Sequence, residues 1–78
     1  MSFKQLVKTI ACALVDDPDQ VEVDQIEQGD TSILELRVAP EDIGKVIGKD
    51  GRTAQSIRAV LLAASAKAGR RVQLDILD

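Results

Sequence analysis

The chain has 78 residues and a formal net charge of −3, without a His, Trp or Tyr. That length makes one small domain with one modest core, and the missing residue types remove histidine acid–base catalysis, His–Cys metal sites and recognition of bases by aromatic stacking. The single Cys cannot close an internal disulfide, so stability rests on packing and a reducing, cytoplasmic setting fits.

Met1–Gln5 lacks the basic start and apolar run of a secretion signal, and no stretch approaches the ~20 apolar residues of a membrane span. Residues 3–16 read as an amphipathic helix. Phe3, Val7, Ile10 and Leu14 recur at helical spacing with Leu6 beside them, and Ser2 stands at the N-cap position. Cys12 falls opposite that stripe, where it is a small residue on a half-exposed face with no cation beside it to make a reactive thiolate. Asp16-Asp17-Pro18-Asp19 stops the helix, because the residue before proline avoids the α region.

Residues 21–28 alternate as a strand, with Val21 and Val23 on one face and Glu22 and Asp24 on the other. The alternation slips at Gln25-Ile26, which predicts an edge strand or a bulge. Gly29-Asp30 marks a tight turn, and residues 32–38 form a cleaner strand with Leu34, Leu36 and Val38 inward. The short connection implies an antiparallel hairpin. Pro40-Glu41-Asp42 starts a short helix over about 41–47. A long helix runs over about 52–68, with Ala54, Ile57, Leu61, Ala64 and Ala68 as its apolar line and Gly69 just past its end. Residues 71–77 are the last strand, with Val72, Leu74 and Ile76 inward.

The order is α-β-β-α-α-β, an α+β fold. Two helices separate strand 32–38 from strand 71–77, so those strands pair in parallel through a right-handed crossover. Strand 21–28 then lies on the far side of 32–38, and one three-stranded mixed sheet carries the helices on one face.

Charge is divided along the chain. Residues 1–42 hold three basic and ten acidic side chains, whereas residues 43–78 hold seven basic and three acidic ones. Local sign decides polyanion binding more than the total does. In the basic half, Gly48 and Gly51 flank Lys49 and Asp50 where the two helices meet, with Arg52 opening the long helix. Glycines allow positive φ and close approach of another backbone. A helix start adds outward N–H groups and the positive end of its dipole, which together suit a phosphate. Two glycines around two residues also suit a plain corner between helices. A phosphate-hydrolysis loop of the Walker type fails on count, since Gly44 and Gly48 have three residues between them and Asp50 stands where Ser or Thr is needed.

Val46-Ile47-Gly48-Lys49-Asp50-Gly51-Arg52 resembles the signature of a KH domain, whose GXXG loop clamps the backbone of about four nucleotides. The context strengthens the resemblance: an apolar short helix, the loop, a basic residue, an apolar long helix, then a strand. It covers nearly the whole chain. It implies the type II KH arrangement, with an N-terminal helix and strand (about 3–28) before a β-α-α-β core (about 32–77), and is similar to the small bacterial single-domain proteins of the KhpA type. The resemblance implies a cleft for single-stranded RNA between the two loop-flanking helices and the last strand. Ile43, Gly44 and Ile47 then face the bases, Gly48, Lys49, Asp50 and Gly51 track the phosphates, Lys45 and Arg52 add charge, and Arg70 and Arg71 flank the far rim. Arg58 and Lys67 read as a solvated helix face.

Asp50 cancels Lys49 within the loop, so weak binding by one domain is expected, raised by pairing of domains. Val60 and Leu62 lie on opposite flanks of the Ile57/Leu61/Ala64 line. Either the core face is wide, or one flank, with Ala59 or Ala63, is exposed and meets a partner. The resemblance implies a homodimer or a heterodimer with a Jag/KhpB-type KH protein. The function expected is a non-catalytic RNA-binding regulator or RNA chaperone, without cofactor, metal or membrane. The alternative is a KH-fold adaptor that acts mainly through dimerisation.

Overall fold

A computed structural model describes residues 2–78, and Met1 lies outside the described residues. Helix α1 (Phe3–Leu14) begins with a capping box. The Ser2 hydroxyl accepts the Gln5 N–H at 3.1 Å, and the Gln5 side chain accepts the Ser2 N–H at 3.3 Å. After a single 3₁₀ turn at Pro18–Gln20 come strands β1 (Glu22–Gln28) and β2 (Thr31–Arg37). A second 3₁₀ turn, Pro40–Asp42, leads into helix α2 (Ile43–Ile47), then the loop, helix α3 (Arg52–Ala68) and strand β3 (Arg71–Ile76).

The sheet has three strands in the order β1-β2-β3. The β1–β2 pair is antiparallel and the β2–β3 pair parallel, with Leu34 opposite both Gln25 and Leu74. This is the topology expected from the hairpin and the two-helix crossover. The core lies between the sheet and the helices. Val7 and Ala11 from α1, Val23, Leu34, Leu36 and Leu74 from the sheet, Val46 from α2, and Ile57 and Leu61 from α3 are all buried there.

Three details differ from the sequence reading, and the choice left open in β1 is decided for an edge strand. The buried line of α1 centres on Val7 and Ala11, while Leu14 is 37% exposed. The chain leaves the helix at Val15, and Val15 fills the core under that end. The same shift brings Cys12 to the core margin instead of the opposite face. In β1 the register runs unbroken from Glu22↔Arg37 to Gln28↔Thr31, so there is no bulge; the alternation fails because β1 is an edge strand largely uncovered beyond Val23. In α3 the buried line is Ala54, Ile57, Leu61 and Ser65, whereas Ala64 is half-buried and Ala68 exposed. Spacing by fours keeps residue 65 in line with 57 and 61, and Ser65 tolerates burial because its hydroxyl donates to the Leu62 carbonyl at 3.0 Å.

Asp42 is buried at the start of α2, where the sequence suggested only a favourable helix-end charge. Its carboxylate accepts the Asp17 N–H at 3.1 Å and a Lys45 ammonium proton at 3.2 Å. It thereby ties the segment after α1 to the helix that leads into the loop.

Candidate nucleic-acid interface

The loop between α2 and α3 is built from backbone conformations that ordinary side chains avoid. Gly48 has φ +78° and Gly51 φ +75°, with Asp50 between them at φ +57°. A Cβ on Gly48 would stand 2.1 Å from Thr53 Oγ1 and 2.8 Å from the Thr53 nitrogen, so this glycine is required twice over. Gly44 is different. It sits inside α2 without a positive φ, and a Cβ there would meet nothing within 4 Å. Helix geometry does not require it, and helix propensity disfavours it by about 1 kcal/mol against alanine. It leaves bare backbone on an exposed surface beside Ile43, half-buried, and Ile47, 38% exposed. Val46 is fully buried, so the helix divides into a core side and an open side.

No side chain caps the start of α3. Lys49 and Arg52 are exposed there, and among the described residues neither is in an ion pair. The combination of helix N-terminus, positive-φ backbone and two unpaired cations is suited to an anion chain. Asp50 stays exposed in the same loop and opposes them.

Residues 4–76 match the family model described as KhpA/KhpB, KH domain. The chain belongs to this family of KH domains. It is 58% identical over 73 residues to the RNA-binding protein KhpA of Caldanaerobacter subterraneus subsp. tengcongensis, covering 94% of this chain and 97% of that one. It is 55% identical over 76 residues to the RNA-binding protein KhpA of Halalkalibacterium halodurans, covering 97% and 100%. A crystal structure of Era from Aquifex aeolicus bound to GDP·AlF4− superposes with a TM-score of 0.65 at 22% identity. That match covers 95% of this chain but only 29% of Era, and it carries the fold alone. The KhpA/KhpB class is non-enzymatic, and α-β-β-α-α-β is its KH arrangement.

Within this KH frame the cations named from sequence separate into two kinds. Lys45 is committed to the protein: its ammonium lies 3.2 Å from both Asp16 and Asp42. Hydrogen bonds to Asp16 and then Asp42 raise its pKa. Burial alone would raise the Asp42 pKa, but the Asp17 N–H and Lys45 outweigh it and hold the carboxyl below its ordinary value. Arg70 is also committed. Its guanidinium pairs with Glu27 on β1 and donates to the buried Ser32 hydroxyl on β2 at 2.8 Å. Hydrogen bonds from Gln25 and Ser32, and then the Arg70 charge, hold Glu27 below its ordinary pKa. Arg71 is exposed at the start of β3, outside every ion pair among the described residues.

Arg58, read from sequence as part of a solvated face, bridges two elements. Its Nε and Nη2 donate to the Leu74 carbonyl of β3 at 3.3 and 3.1 Å. Nothing in local spacing could have marked this, because the acceptor is a backbone atom sixteen positions away. Val60 is 48% and Leu62 70% exposed, and Ala59 and Ala63 are exposed as well. Both flanks of α3 are therefore open, where the sequence left a choice between a wide core face and one exposed flank.

Proposed function

We propose that residues 1–78 act as one KH unit that binds single-stranded RNA without catalysis, as a post-transcriptional regulator or RNA chaperone in the cytoplasm. The observation that carries this reading is the loop: two glycines at positive φ beside a start of α3 that no described side chain caps, with Lys49 and Arg52 outside every ion pair among the described residues. Gly48, Lys49, Asp50 and Gly51 follow the phosphates, and Arg52 adds charge. Ile43, Gly44 and Ile47 offer an aliphatic surface to the bases. Arg71 extends the rim, whereas Lys45 and Arg70 act mainly within the protein. The KhpA relatives, named as RNA-binding proteins, support the ligand class.

The test is titration of single-stranded RNA at several salt concentrations. With about three phosphates neutralised, log K falls against log salt with a slope near −2. No retention of RNA at low salt would remove the reading. Gly44→Val supplies a second arm: it fills the bare backbone, so RNA binding drops while the protein stays folded.

A second reading, favoured by the exposed Val60 and Leu62, is an adaptor that works mainly by pairing. The partner is a second copy or a Jag/KhpB-type KH protein. Val60→Glu leaves helicity intact, since the site is half open. Sedimentation of parent and variant decides: a parent that is monomeric at all concentrations ends the adaptor reading for self-pairing.

A further inference from the structure

The RNA reading leaves Arg58 without a role. The outer edge of β3 explains what it does. Arg71 N–H donates to the Asp30 carbonyl at 3.3 Å, and Leu77 N–H to the Leu36 carbonyl at 2.9 Å. In a parallel ladder alternate residues turn both backbone groups to the neighbouring strand. Gln73 and Asp75 therefore also face β2, and Val72, Leu74 and Ile76 turn their N–H and C=O groups to the open edge of the sheet.

A bare edge residue presents one donor and one acceptor side by side. That pair matches an adenine edge, whose N6 amino group donates while N7 accepts. At Leu74 the acceptor is not bare, because Arg58 occupies the carbonyl with two of its five N–H donors. Three guanidinium donors remain beside the Leu74 N–H. This position therefore offers donors only. A guanine edge, with O6 and N7 both acceptors, matches donors only, and bidentate pairing of arginine with those two atoms is the commonest specific contact in the DNA major groove.

We propose that Arg58 sets the base preference of the KH cleft, selecting guanine over adenine at the one nucleotide that lies against Leu74. The inference rests on the RNA-binding reading above and adds a specificity residue to it. The surroundings favour a base over a phosphate at this place. Arg58 lines a groove of about 440 Å³ together with the apolar Leu61, Leu62, Val72 and Leu74, which suits the flat face of a base. Asp75 lines the same groove, and its carboxylate opposes a phosphate. The phosphate-binding loop begins α3, six residues before Arg58 and about 9 Å away along the helix axis.

The test uses the full chain and short oligouridines carrying one guanosine or one adenosine, with circular dichroism to confirm folding. The parent binds the guanosine RNA roughly tenfold more tightly than the adenosine RNA. Arg58→Leu uncovers the Leu74 carbonyl, so the ratio falls to one or inverts, while the salt slope stays within error. Arg58→Lys keeps the charge without the planar fork and also loses the preference; it carries the test if Arg58→Leu fails to fold. Equal binding of the two RNAs by the parent overturns the proposal, and so does a Lys variant that keeps the guanine preference. A uniform loss across all RNAs with a shallower salt slope marks Arg58 as a phosphate contact and overturns it too. Absence of any RNA binding by the parent removes the RNA reading itself, a result distinct from binding without base preference.

Discussion

At the start of α3, Lys49 and Arg52 stand outside every ion pair among the described residues, on a loop held open by glycines. Just past the far end of this 17-residue helix, about 25 Å along its axis, Arg70 is tied to Glu27 and Ser32. Both ends carry basic residues beside a glycine turn, and a charge count treats them alike. The difference lies in what the fold brings near. Where β1 and β2 pass under the α3–β3 turn, an acidic strand residue meets the arginine and spends its charge internally. Among the described residues, no carboxylate from another element pairs with the loop end. The comparison teaches that the cation count of this domain overstates the charge left free for the proposed RNA site, since Lys45 and Arg70 are already paired with carboxylates.

The largest expected effect tests the loop as a built object. Gly48→Ala places a Cβ against the Thr53 side chain and backbone and forces an L-residue to hold φ +78°. Strain of this kind costs about 1–3 kcal/mol for the backbone alone, so thermal melting shifts clearly downward and RNA binding falls with it. A variant as stable as the parent would mean that the loop does not hold this conformation.

Next in size is a contrast between the two ends. Lys49→Asp turns one attraction into one repulsion at the helix start, with each charge contact worth roughly 1 kcal/mol at 4 Å in water and more near protein. RNA affinity drops at least about tenfold, and the melting temperature barely moves, because exposed loop changes alter folding by only ~0.5 kcal/mol. Arg70→Met does the reverse: it releases Glu27 and Ser32, lowers the melting temperature, and leaves the salt slope of RNA binding where it was. Loss of slope in Arg70→Met would place that arginine in the RNA interface after all.

A smaller effect is expected at Asp50. Asparagine tolerates the left-handed region as aspartate does, so Asp50→Asn removes the opposing charge without disturbing φ +57°. RNA binding tightens several-fold. Asp50→Lys adds more charge but strains the backbone by about 1–2 kcal/mol, so its stability falls while Asn's does not. Melting curves and RNA titration of the two variants separate charge from conformation.

The smallest effect is in acid. Asp42 has a folded pKa held below its ordinary 3.8 and Glu27 one held below its ordinary 4.5. A lowered folded pKa gives stability that is fully present above the ordinary value and is lost as pH falls through the folded one. The Glu27 tie therefore weakens as pH falls below its ordinary 4.5 and the Asp42 tie as pH falls below its ordinary 3.8, and Asp42→Asn flattens the lower part of that acid limb. Lys45, raised above 10.5, has the opposite sign. Its contribution is complete below that pH and fades as pH rises through the folded value. Stability that is flat from pH 2 to pH 6 would show that neither tie matters.

The sequence alone carried the architecture, because periodicity, turn residues and a capping signal are local. The period of two in Ser32–Val38, the 3.6 period after Arg52 and the two-helix spacing before Arg71 were enough to order the sheet. It also carried the loop, since the glycines and cations that make it are neighbours in the chain. Three things were decided only by tertiary structure. Asp42 and Ser65 are buried because partners arrive from Asp17, Lys45 and Leu62 to satisfy them. Lys45 and Arg70 are withdrawn from the surface charge because acidic residues on other elements reach them. Arg58 is held by a backbone carbonyl on a strand that packs against its helix. A side chain's type is written locally, but its partner is chosen by which elements the core packs together, and no local pattern encodes that distance.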